Sequence, residues 1–422
     1  MFSSHSRGPL VVNLVAQLAF GLLAMTICIP SMQEWGALFG AGQGSVQLSF
    51  SGFVIAYGAL QLLYGPLSDR LGRRRVLLAG LSLAFAGSVL SALSTSLDAL
   101  IAARVLQGAG AAAGMVIGRA LVQDLFDGPE RTRVMAWIGM AMGLVPPGAA
   151  IIGGLLHVRL GWQAGFVLMA VLALVLIVAA WRGLSPKMLA APEREPAPHG
   201  ASAIPNATVT VASGAVPQPP WWRTMQTSYA RLAREPVFLL YVGVLSTTSA
   251  AFYTFLGGAP LVLGSYGIGP EGVGWYIGAI PVFYIIGNYL TSRLVHRAGE
   301  ARVMLMGQVL AIGSLLLTAA LALAGWHSPL AFALPLTLLG VGHGFLMPTA
   351  LSGTVGVLPA LAGAAAAVAG LLQQGMGAAG GWIVGLVPHR GALILALLML
   401  AWTLVGALAQ WGLWRLRPAR GD

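Results

Sequence analysis

The stretch GPLSDRLGRRRV, residues 65–76, places one acidic and four basic side chains between two long apolar runs. Only 8% of the 422 residues are charged, so this cluster stands out from the rest of the chain. Arginines concentrated in a short connection between apolar runs are typical of the cytoplasmic surface of a membrane protein. The stretch therefore predicts a cytoplasmic connection between two membrane-spanning helices.

The composition excludes an ordinary soluble protein. Hydrophobic residues make up 57% of the chain and the mean hydropathy is +0.82, whereas soluble domains carry about 25% charged residues. Runs of about 20 apolar residues are long enough to cross the hydrocarbon core as helices. The sequence therefore predicts an all-α, multi-pass membrane protein in contact with the lipid bilayer. Cys28 is the only cysteine, which excludes an internal disulfide and a cysteine-cluster metal site.

The apolar runs predict twelve membrane-spanning helices in two groups of six. Residues 1–183 are expected to form the first six-helix bundle, residues 184–235 a cytoplasmic linker, and residues 236–422 the second bundle with a short cytoplasmic tail. The expected spans are residues 9–32, 45–67, 75–95, 98–125, 131–157, 161–183, 236–258, 272–294, 301–325, 329–351, 360–387 and 391–414.

The linker differs from the rest of the chain in composition. It is rich in Pro, Ala and small polar residues and lacks helical apolar periodicity, which predicts a flexible segment. Near its end, Trp221 and Trp222 precede Arg223, Arg231 and Arg234. This pattern predicts either an amphipathic segment at the membrane surface or a plain solvated end of the linker.

The arginines lie mostly on one side of the predicted membrane. Because cytoplasmic connections are enriched in Lys and Arg, both termini are expected in the cytoplasm. This distribution also accounts for the net charge of +11 without a nucleic-acid partner. One side carries Arg70, Arg73, Arg74, Arg75, Arg131, Arg133, Arg293, Arg297, Arg302, Arg415, Arg417 and Arg420, and the other carries Arg159 and Arg390.

The two groups of spans resemble each other in sequence. The opening stretch is matched in the second group by GNYLTSRL (287–294) followed by GEARVMLMG (299–307), and LQGAGA (106–111) is matched by LGVGHG (339–344). Parallel repeats of this kind predict a binding site between the halves near the membrane midplane. A channel filter and the GxxxxGK[ST] nucleotide motif are both absent from the sequence, so the driving force is expected to be an ion or solute gradient.

Three motifs together resemble those of the major facilitator superfamily, and most closely the twelve-span Bcr/CflA family of drug exporters. They are GPLSDRLGRRR (65–75), RVLQGAG (104–110) and GRALVQDLF (118–126), and the resemblance covers nearly all of the chain outside the linker. It implies a monomeric, proton-coupled exporter of small organic molecules, including drugs and antibiotics. Such a protein works by alternating access, without covalent catalysis or a cofactor. The alternative is an exporter dedicated to one endogenous metabolite, such as a siderophore.

The resemblance implies a charge network at the cytoplasmic ends of the second and fourth spans. Asp69, one of Arg73 or Arg74, and Asp124 would form a latch that favours one closed state of the transporter. The two motif glycines permit close approach and a tight turn. The residues expected in this latch are Gly65, Asp69, Gly72, Arg73, Arg74 and Asp124.

Two arginines lie within the fourth predicted span. Arg104 lies at membrane depth, where an arginine is costly and usually faces a cavity or a partner. The resemblance implies a part in proton coupling, and hydrogen bonding to backbone carbonyls is the structural alternative. Arg119 is about four helical turns further along. It is expected to reach the membrane surface, to pair with Asp124 or to line the inner vestibule.

Two positions depart from the family pattern. The first span usually has an Asp where this chain has Thr26, and the nearest acid is Glu34. The departure leaves Arg104 without a carboxylate and favours neutral or anionic substrates, which supports the metabolite alternative. His343 is a candidate proton-binding group in place of the missing acid, and a structural role is its alternative.

The second departure is Ala150, in the fifth span, where the family usually has a Pro. The neighbouring prolines are still expected to bend or loosen this helix. The residues of the bend are Gly143, Pro146, Pro147, Gly153 and Gly154.

The resemblance places the substrate cavity between the first, fourth, seventh and tenth spans. Met and aromatic side chains suit varied apolar ligands because they repack or stack. The residues expected to line the cavity are Met25, Thr26, Arg104, Gln107, Met115, Arg119, Ser246, Thr247, Phe252, Tyr253, Phe255, His343 and Met347.

Overall fold

The computed structural model describes residues 7–126, 128–184, 221–388 and 391–416, and in these ranges the regular structure is helical. Most of the predicted linker lies outside the described residues, as do Arg390, Arg417 and Arg420. The all-α class predicted from the sequence is confirmed. The helices are α1 (Arg7–Thr26), α2 (Met32–Leu38), α3 (Gln43–Leu71), α4 (Arg73–Ala92), α5 (Leu97–Leu125), α6 (Gly128–Leu160), α7 (Gln163–Gly183), α8 (Trp221–Leu232), α9 (Pro236–Ser265), α10 (Pro270–Ala298), α11 (Glu300–Leu323), α12 (Pro329–Gly356), α13 (Ala362–Val384) and α14 (Ala392–Leu416).

Eleven of the described helices are long and apolar enough to cross a membrane. The remaining predicted span, residues 360–387, corresponds to α13, whose 23 residues include Gln373, Gln374 and many glycines that lower its mean hydropathy. This helix packs against α9 of its own half and against α3 of the other half.

Large apolar side chains cover the outer surface of the bundle. On α7, Val167, Val171 and Val175 are each more than half exposed, and their spacing puts them on one face of the helix. An apolar surface this extensive is expected to contact lipid chains. The chain is therefore a multi-pass membrane protein.

The first predicted span, residues 9–32, is wrong at its end. The helix α1 stops at Thr26, the next five residues form a turn, and the chain continues as the short helix α2. The cause is Pro30, which has no N–H to donate and whose ring clashes with the carbonyl four residues earlier, that of Thr26. The turn lets α6 approach closely, because a Cβ at Gly153 would lie 1.9 Å from the Ile27 carbonyl oxygen.

The spans form two six-helix halves. In the first, α4 packs on α5 so tightly that a Cβ at Gly110 would lie 2.2 Å from the backbone nitrogen of Ala84. In the second, a Cβ at Gly344 on α12 would lie 2.7 Å from the backbone nitrogen of Asn288 on α10. The halves contact each other mainly through α3 against α13 and α6 against α10.

The two ends of the bundle differ in how closely the halves approach. We call the end where α3 passes into α4 the arginine-rich end, and the end where α4 passes into α5 the opposite end. At the opposite end, Cβ atoms at Gly385 and Gly154 would clash with backbone of the other half. Nearer the arginine-rich end, Cβ atoms at Gly139 and Gly370 would meet no atom within 4 Å. The space between the halves therefore opens toward the arginine-rich end.

The helix α8 lies outside the six-helix pattern. The side chain of Leu232 is fully buried against Phe238 and Tyr241 of the second half, whereas Arg231 and Arg234 are exposed. The side chains of residues 221–225 lie outside the described part. The end of the linker is thus helical and anchored on one face, and its position at a membrane surface stays a prediction.

Substitution of Gly110 by Ala is expected to destabilise the protein by about 1–3 kcal/mol, the usual cost of overpacking. The added methyl would collide with backbone atoms of α4, which cannot rotate away. Thermal unfolding of the purified protein in detergent measures the effect. The matched control is Gly313→Ala, because a Cβ at Gly313 meets no atom within 4 Å, and an equal loss in both variants would contradict the prediction.

Candidate functional site

A cavity of about 340 Å³ lies between the two halves at mid-depth. Residues from α1 and α6 form one wall, and residues from α9, α10, α12 and α13 form the other. The lining consists of Leu22, Met25, Gly139, Met142, Gly143, Pro146, Ser249, Phe252, Tyr253, Ile280, Pro281, Tyr284, Asn288, His343, Met347 and Gln373.

The described lining of this cavity carries no Asp, Glu, Lys or Arg side chain. Its polar groups are a hydroxyl, two phenols, two amides and one imidazole, and the remainder is aliphatic, aromatic or thioether. The Tyr253 phenol donates a hydrogen bond of 2.8 Å to Oε1 of Gln374, which fixes the ring in the wall. Such a surface can bind an apolar molecule by contact and stacking, with a few hydrogen bonds to orient it.

Several residues predicted for the cavity do line it. Met25, Phe252, Tyr253, His343 and Met347 are all part of the wall. Two residues of the predicted helix bend, Gly143 and Pro146, also line it. The first, seventh and tenth predicted spans therefore contribute as expected.

Other predicted residues lie elsewhere. The hydroxyl of Thr26 donates to the carbonyl of Leu22 in its own helix, and Met115 is buried among the helices of the first half. The exposed Arg119 lies at the edge of the cavity, with Nη2 4.0 Å from Sδ of Met142. The residues expected in the lining that do not form it are Thr26, Arg104, Gln107, Met115, Arg119, Ser246, Thr247 and Phe255.

Arg104 is fully buried inside the first half. Its Nη1 donates 2.8 Å to the carbonyl oxygen of Ala24 and 2.5 Å to Oε1 of Gln107. Its guanidinium lies 4.3 Å from the ring centroid of Phe53 and 5.7 Å from that of Phe166. The ion pairs among the described residues do not include Arg104. The side chain is held by a backbone carbonyl, an amide and aromatic faces, and it does not reach the cavity.

The sequence reasoning missed the contribution of α10 and α13 to the cavity. Ile280, Pro281, Tyr284 and Asn288 all line it from α10, and Gln373 does so from α13. The signal in the sequence was a proline and an amide within an otherwise apolar span, GAIPVFYIIGN (278–288). Polar side chains within a span usually face the bundle interior.

A charge network forms at the arginine-rich end of the first half. Arg73 Nη1 lies 2.7 Å from Asp69 Oδ1, and Arg73 Nε lies 3.1 Å from Asp124 Oδ2. Arg73 also donates 2.7 Å to the hydroxyl of Ser68. Arg74 instead donates to the carbonyl of Trp181 at the end of α7. Arg73 is thus the arginine that links the end of α3 to the end of α5.

The two motif glycines have different environments. Gly72 forms the turn between α3 and α4 with φ +92°, a conformation that favours glycine. The close approach expected at Gly65 is not present, because a Cβ there would meet no atom within 4 Å.

The helix α2 closes the opposite end. Gln33 donates a hydrogen bond to the carbonyl of Pro260 in the second half. Glu34 Oε2 lies 2.9 Å from Nε2 of His157 near the end of α6. Trp35 is fully buried and packs on the ring of Trp162 at 5.7 Å. The short helix is therefore fixed to the first half while it bonds to the second.

The predicted bend residues lie where α6 meets other helices. The helix continues from Gly128 to Leu160 with Pro146 and Pro147 inside it. A Cβ at Gly154 would lie 2.3 Å from the carbonyl oxygen of Pro270, and one at Gly143 would lie 2.6 Å from the side chain of Ile285. These glycines therefore permit the close contact between α6 and α10.

The family model of the Major Facilitator Superfamily matches residues 11–381. The chain is a member of the Major Facilitator Superfamily. It is therefore a transporter, and it is not an enzyme. Among the described residues, no three His, Cys, Asp or Glu side chains come together as a metal site.

Two relatives in this superfamily match nearly the whole chain. A chloramphenicol resistance protein of Pseudomonas aeruginosa is 27% identical over 92% of this chain and 87% of its own length. Multidrug resistance protein D of Escherichia coli K12 is 29% identical over 94% of this chain and 93% of its own. Among solved structures, a D-xylose-proton symporter has a TM-score of 0.70 and 16% identity, and the match covers 97% of this chain and 98% of the other. The last likeness concerns the fold alone.

We expect Asp69→Asn to lower the rate of drug transport without lowering the amount of protein in the membrane. Asn cannot form the ion pair with Arg73, so the link between α3 and α4 is weakened. Efflux of a labelled drug, normalised to membrane protein, measures this. The control is Asp98→Asn, an exposed acid at the opposite end, and wild-type transport by Asp69→Asn would exclude the latch.

Substitution of Arg104 by Ala is expected to lower thermal stability, because a charged hydrogen bond contributes about 1.5–3 kcal/mol and its partners would stay buried. The resemblance further implies that export is lost. The control is Arg302→Ala at the exposed start of α11. An unchanged melting temperature together with lost export would assign Arg104 to the transport cycle instead of the fold.

Proposed function

We propose that the protein is an inner-membrane exporter of small, uncharged, mostly apolar organic molecules, antibiotics among them. It works by alternating access, driven by proton entry, with both termini in the cytoplasm. This proposal combines the cavity, the charge distribution and the activities named for the relatives, which are chloramphenicol resistance and multidrug resistance.

The uncharged cavity lining is the observation that carries the substrate class. A cation buried without a carboxylate partner pays a large desolvation cost, and the described lining offers no such partner. The thioethers of Met25, Met142 and Met347 adapt to different ligand shapes, while Phe252 and Tyr253 offer flat surfaces for stacking. The cavity therefore favours uncharged molecules that carry a few hydrogen-bonding groups.

The direction of opening identifies which state of the proposed cycle the structure represents. Positive charges concentrate at the arginine-rich end, which the proposal assigns to the cytoplasm. The cavity opens toward this end and the halves meet at the other, so this conformation corresponds to the state that loads substrate from inside the cell. Release would require separation of Gln33 from Pro260 at the opposite end.

The alternative is an exporter dedicated to one metabolite such as a siderophore. It was favoured by the expectation that Arg104 is free to bind an anionic substrate. Arg104 does not line the cavity, and its guanidinium already contacts Ala24, Gln107 and Phe53. This observation therefore no longer favours the alternative.

Efflux from pump-deficient bacteria tests the proposal. Cells that express the protein are loaded with an uncharged antibiotic such as chloramphenicol or with a lipophilic cation such as tetraphenylphosphonium, with and without a protonophore. We expect protonophore-sensitive efflux of the uncharged compound and little efflux of the cation. Absence of drug efflux from cells that contain the protein would overturn the proposal.

A carboxylate introduced into the cavity is expected to admit cations. In Met25→Glu, the acid would replace a side chain that lines the wall and supply the missing counter-charge for a lipophilic cation. Gain of tetraphenylphosphonium efflux is the expected result. Met25→Gln is the matched uncharged control, and Met347→Glu tests the same idea from the other half. Cation efflux by the wild type at the rate of the uncharged drug would contradict the assigned substrate class.

A further inference from the structure

A proton-driven exporter needs a side chain that exchanges a proton with the cavity. In many proteins a buried carboxylate binds and releases the proton, because burial raises its pKa toward neutral pH. The described acids of this chain all lie at helix ends or in the short helix α2. They are Glu34, Asp69, Asp98, Asp124, Glu130, Glu235, Glu271 and Glu300. The described part of the chain therefore offers no carboxylate inside the cavity.

His343 is the one imidazole in the described lining of the cavity. It lies at the middle of α12, and only 4% of its surface is exposed. The ion pairs among the described residues do not include it. Among the side chains of the described lining, an imidazole is the one whose ordinary titration lies closest to physiological pH.

The elements packed against α12 present no charged side chain to this imidazole through the described lining. Tyr284 on α10 and Tyr253 on α9 are the other titratable lining groups. A phenol titrates near pH 10, far from the working range. The helix α11 packs against α12 at Gly342, next to His343, through the uncharged residues Gly307 and Ala311.

Arg119 at the cavity edge keeps its proton at every physiological pH, since arginine is not deprotonated in proteins. Its positive charge works against a second cation in the cavity. Arg104 is excluded as a carrier for the same chemical reason, and it lies outside the lining. His343 therefore remains as the group with suitable chemistry and position.

We propose that His343 is the proton site of this transporter, and that a proton on His343 and a substrate in the cavity exclude each other. The proposal rests on the proposed function. A cavity filled with water solvates an imidazolium, whereas an apolar substrate displaces that water and disfavours the charged form. Substrate binding thus breaks the N–H bond and releases the proton to water, and substrate departure allows a proton from water to bind the imidazole again.

This exclusion prevents the proton and the substrate from crossing together in the same direction, as antiport requires. When the cavity opens to the outside, the substrate leaves and His343 takes up a proton from the more acidic side. When the cavity opens to the cytoplasm, the proton leaves as the next substrate enters. The small exposure of His343 and the absence of an anionic partner in the described lining favour the neutral imidazole in the present conformation. This is the protonation state expected of the form that loads substrate.

Proton movement in proteoliposomes tests the site. The purified protein is reconstituted with a pH-sensitive dye inside, and an inward or outward gradient of chloramphenicol is applied. In the wild type, drug movement is expected to drive an opposite proton flow. In His343→Gln, whatever drug movement remains is expected to produce no proton flow, since glutamine hydrogen-bonds but does not titrate. The matched control is His327→Gln, an exposed histidine between α11 and α12.

Drug binding at different pH gives a second, independent readout. Competition with a proton weakens drug binding as the pH falls, by up to about tenfold for each pH unit below the titration of the group. We expect binding to weaken as the pH is lowered from 7.5 in the wild type and in His327→Gln, whereas the affinity that remains in His343→Gln is expected not to change with pH. Thermal unfolding of His343→Gln shows whether the variant is folded, and His343→Asn provides a second substitution.

The outcomes separate this proposal from the proposed function. If the wild type moves drug and protons together and His343→Gln does so too, another group carries the proton and only the His343 assignment is overturned. If the wild type moves drug without proton flow, drug export stands and both the proton coupling and the His343 site are overturned. If the wild type moves and binds no drug, the proposed function and the inference built on it are both overturned.

Discussion

The exclusion of charge from the hydrocarbon core is the constraint on which this structure depends. The described acids lie at helix ends, and the one fully buried arginine is stabilised by a carbonyl, an amide and two aromatic rings. The same constraint acts on the cavity, whose described lining has polar groups but no charged side chain. What the transporter can bind and how it can be coupled to protons both follow from this scarcity of charge.

Close contact through glycine is the second requirement, because helices in lipid gain little from the hydrophobic effect and must pack by contact. Gly110 brings α5 onto α4 within one half, and Gly154 brings α6 onto α10 between the halves. The helix α2 adds a hydrogen bond across the opposite end through Gln33. In the described part of the chain, these close contacts between the halves lie toward the opposite end, and the cavity lies on their arginine-rich side.

Local sequence patterns were sufficient for most of the helices, because these depend on neighbours in the chain. The charge network was expected from the family resemblance, since Asp124 is far from Asp69 and Arg73 in the sequence. Asp69 and Arg73 are one helical turn apart, and the expected partner Asp124 does lie beside them. The break in α1 was also encoded locally, in Pro30, but the apolar run concealed it. Hydropathy alone does not distinguish a straight span from one that ends in a turn.

The sequence by itself determined the all-helical membrane fold, the two halves and the end that collects positive charge. The length of an apolar run and the position of an arginine reflect whether each segment lies in lipid or in water, and this does not depend on how the helices pack. Only the tertiary structure decided which side chains line the cavity. Arg104 and Met25 both belong to spans expected to line it, yet the rotation of each helix turns Arg104 into the first half and Met25 toward the second. That rotation is set by contacts between helices far apart in the chain, such as Gly114 against the carbonyl of Gln17, and no local pattern encodes it.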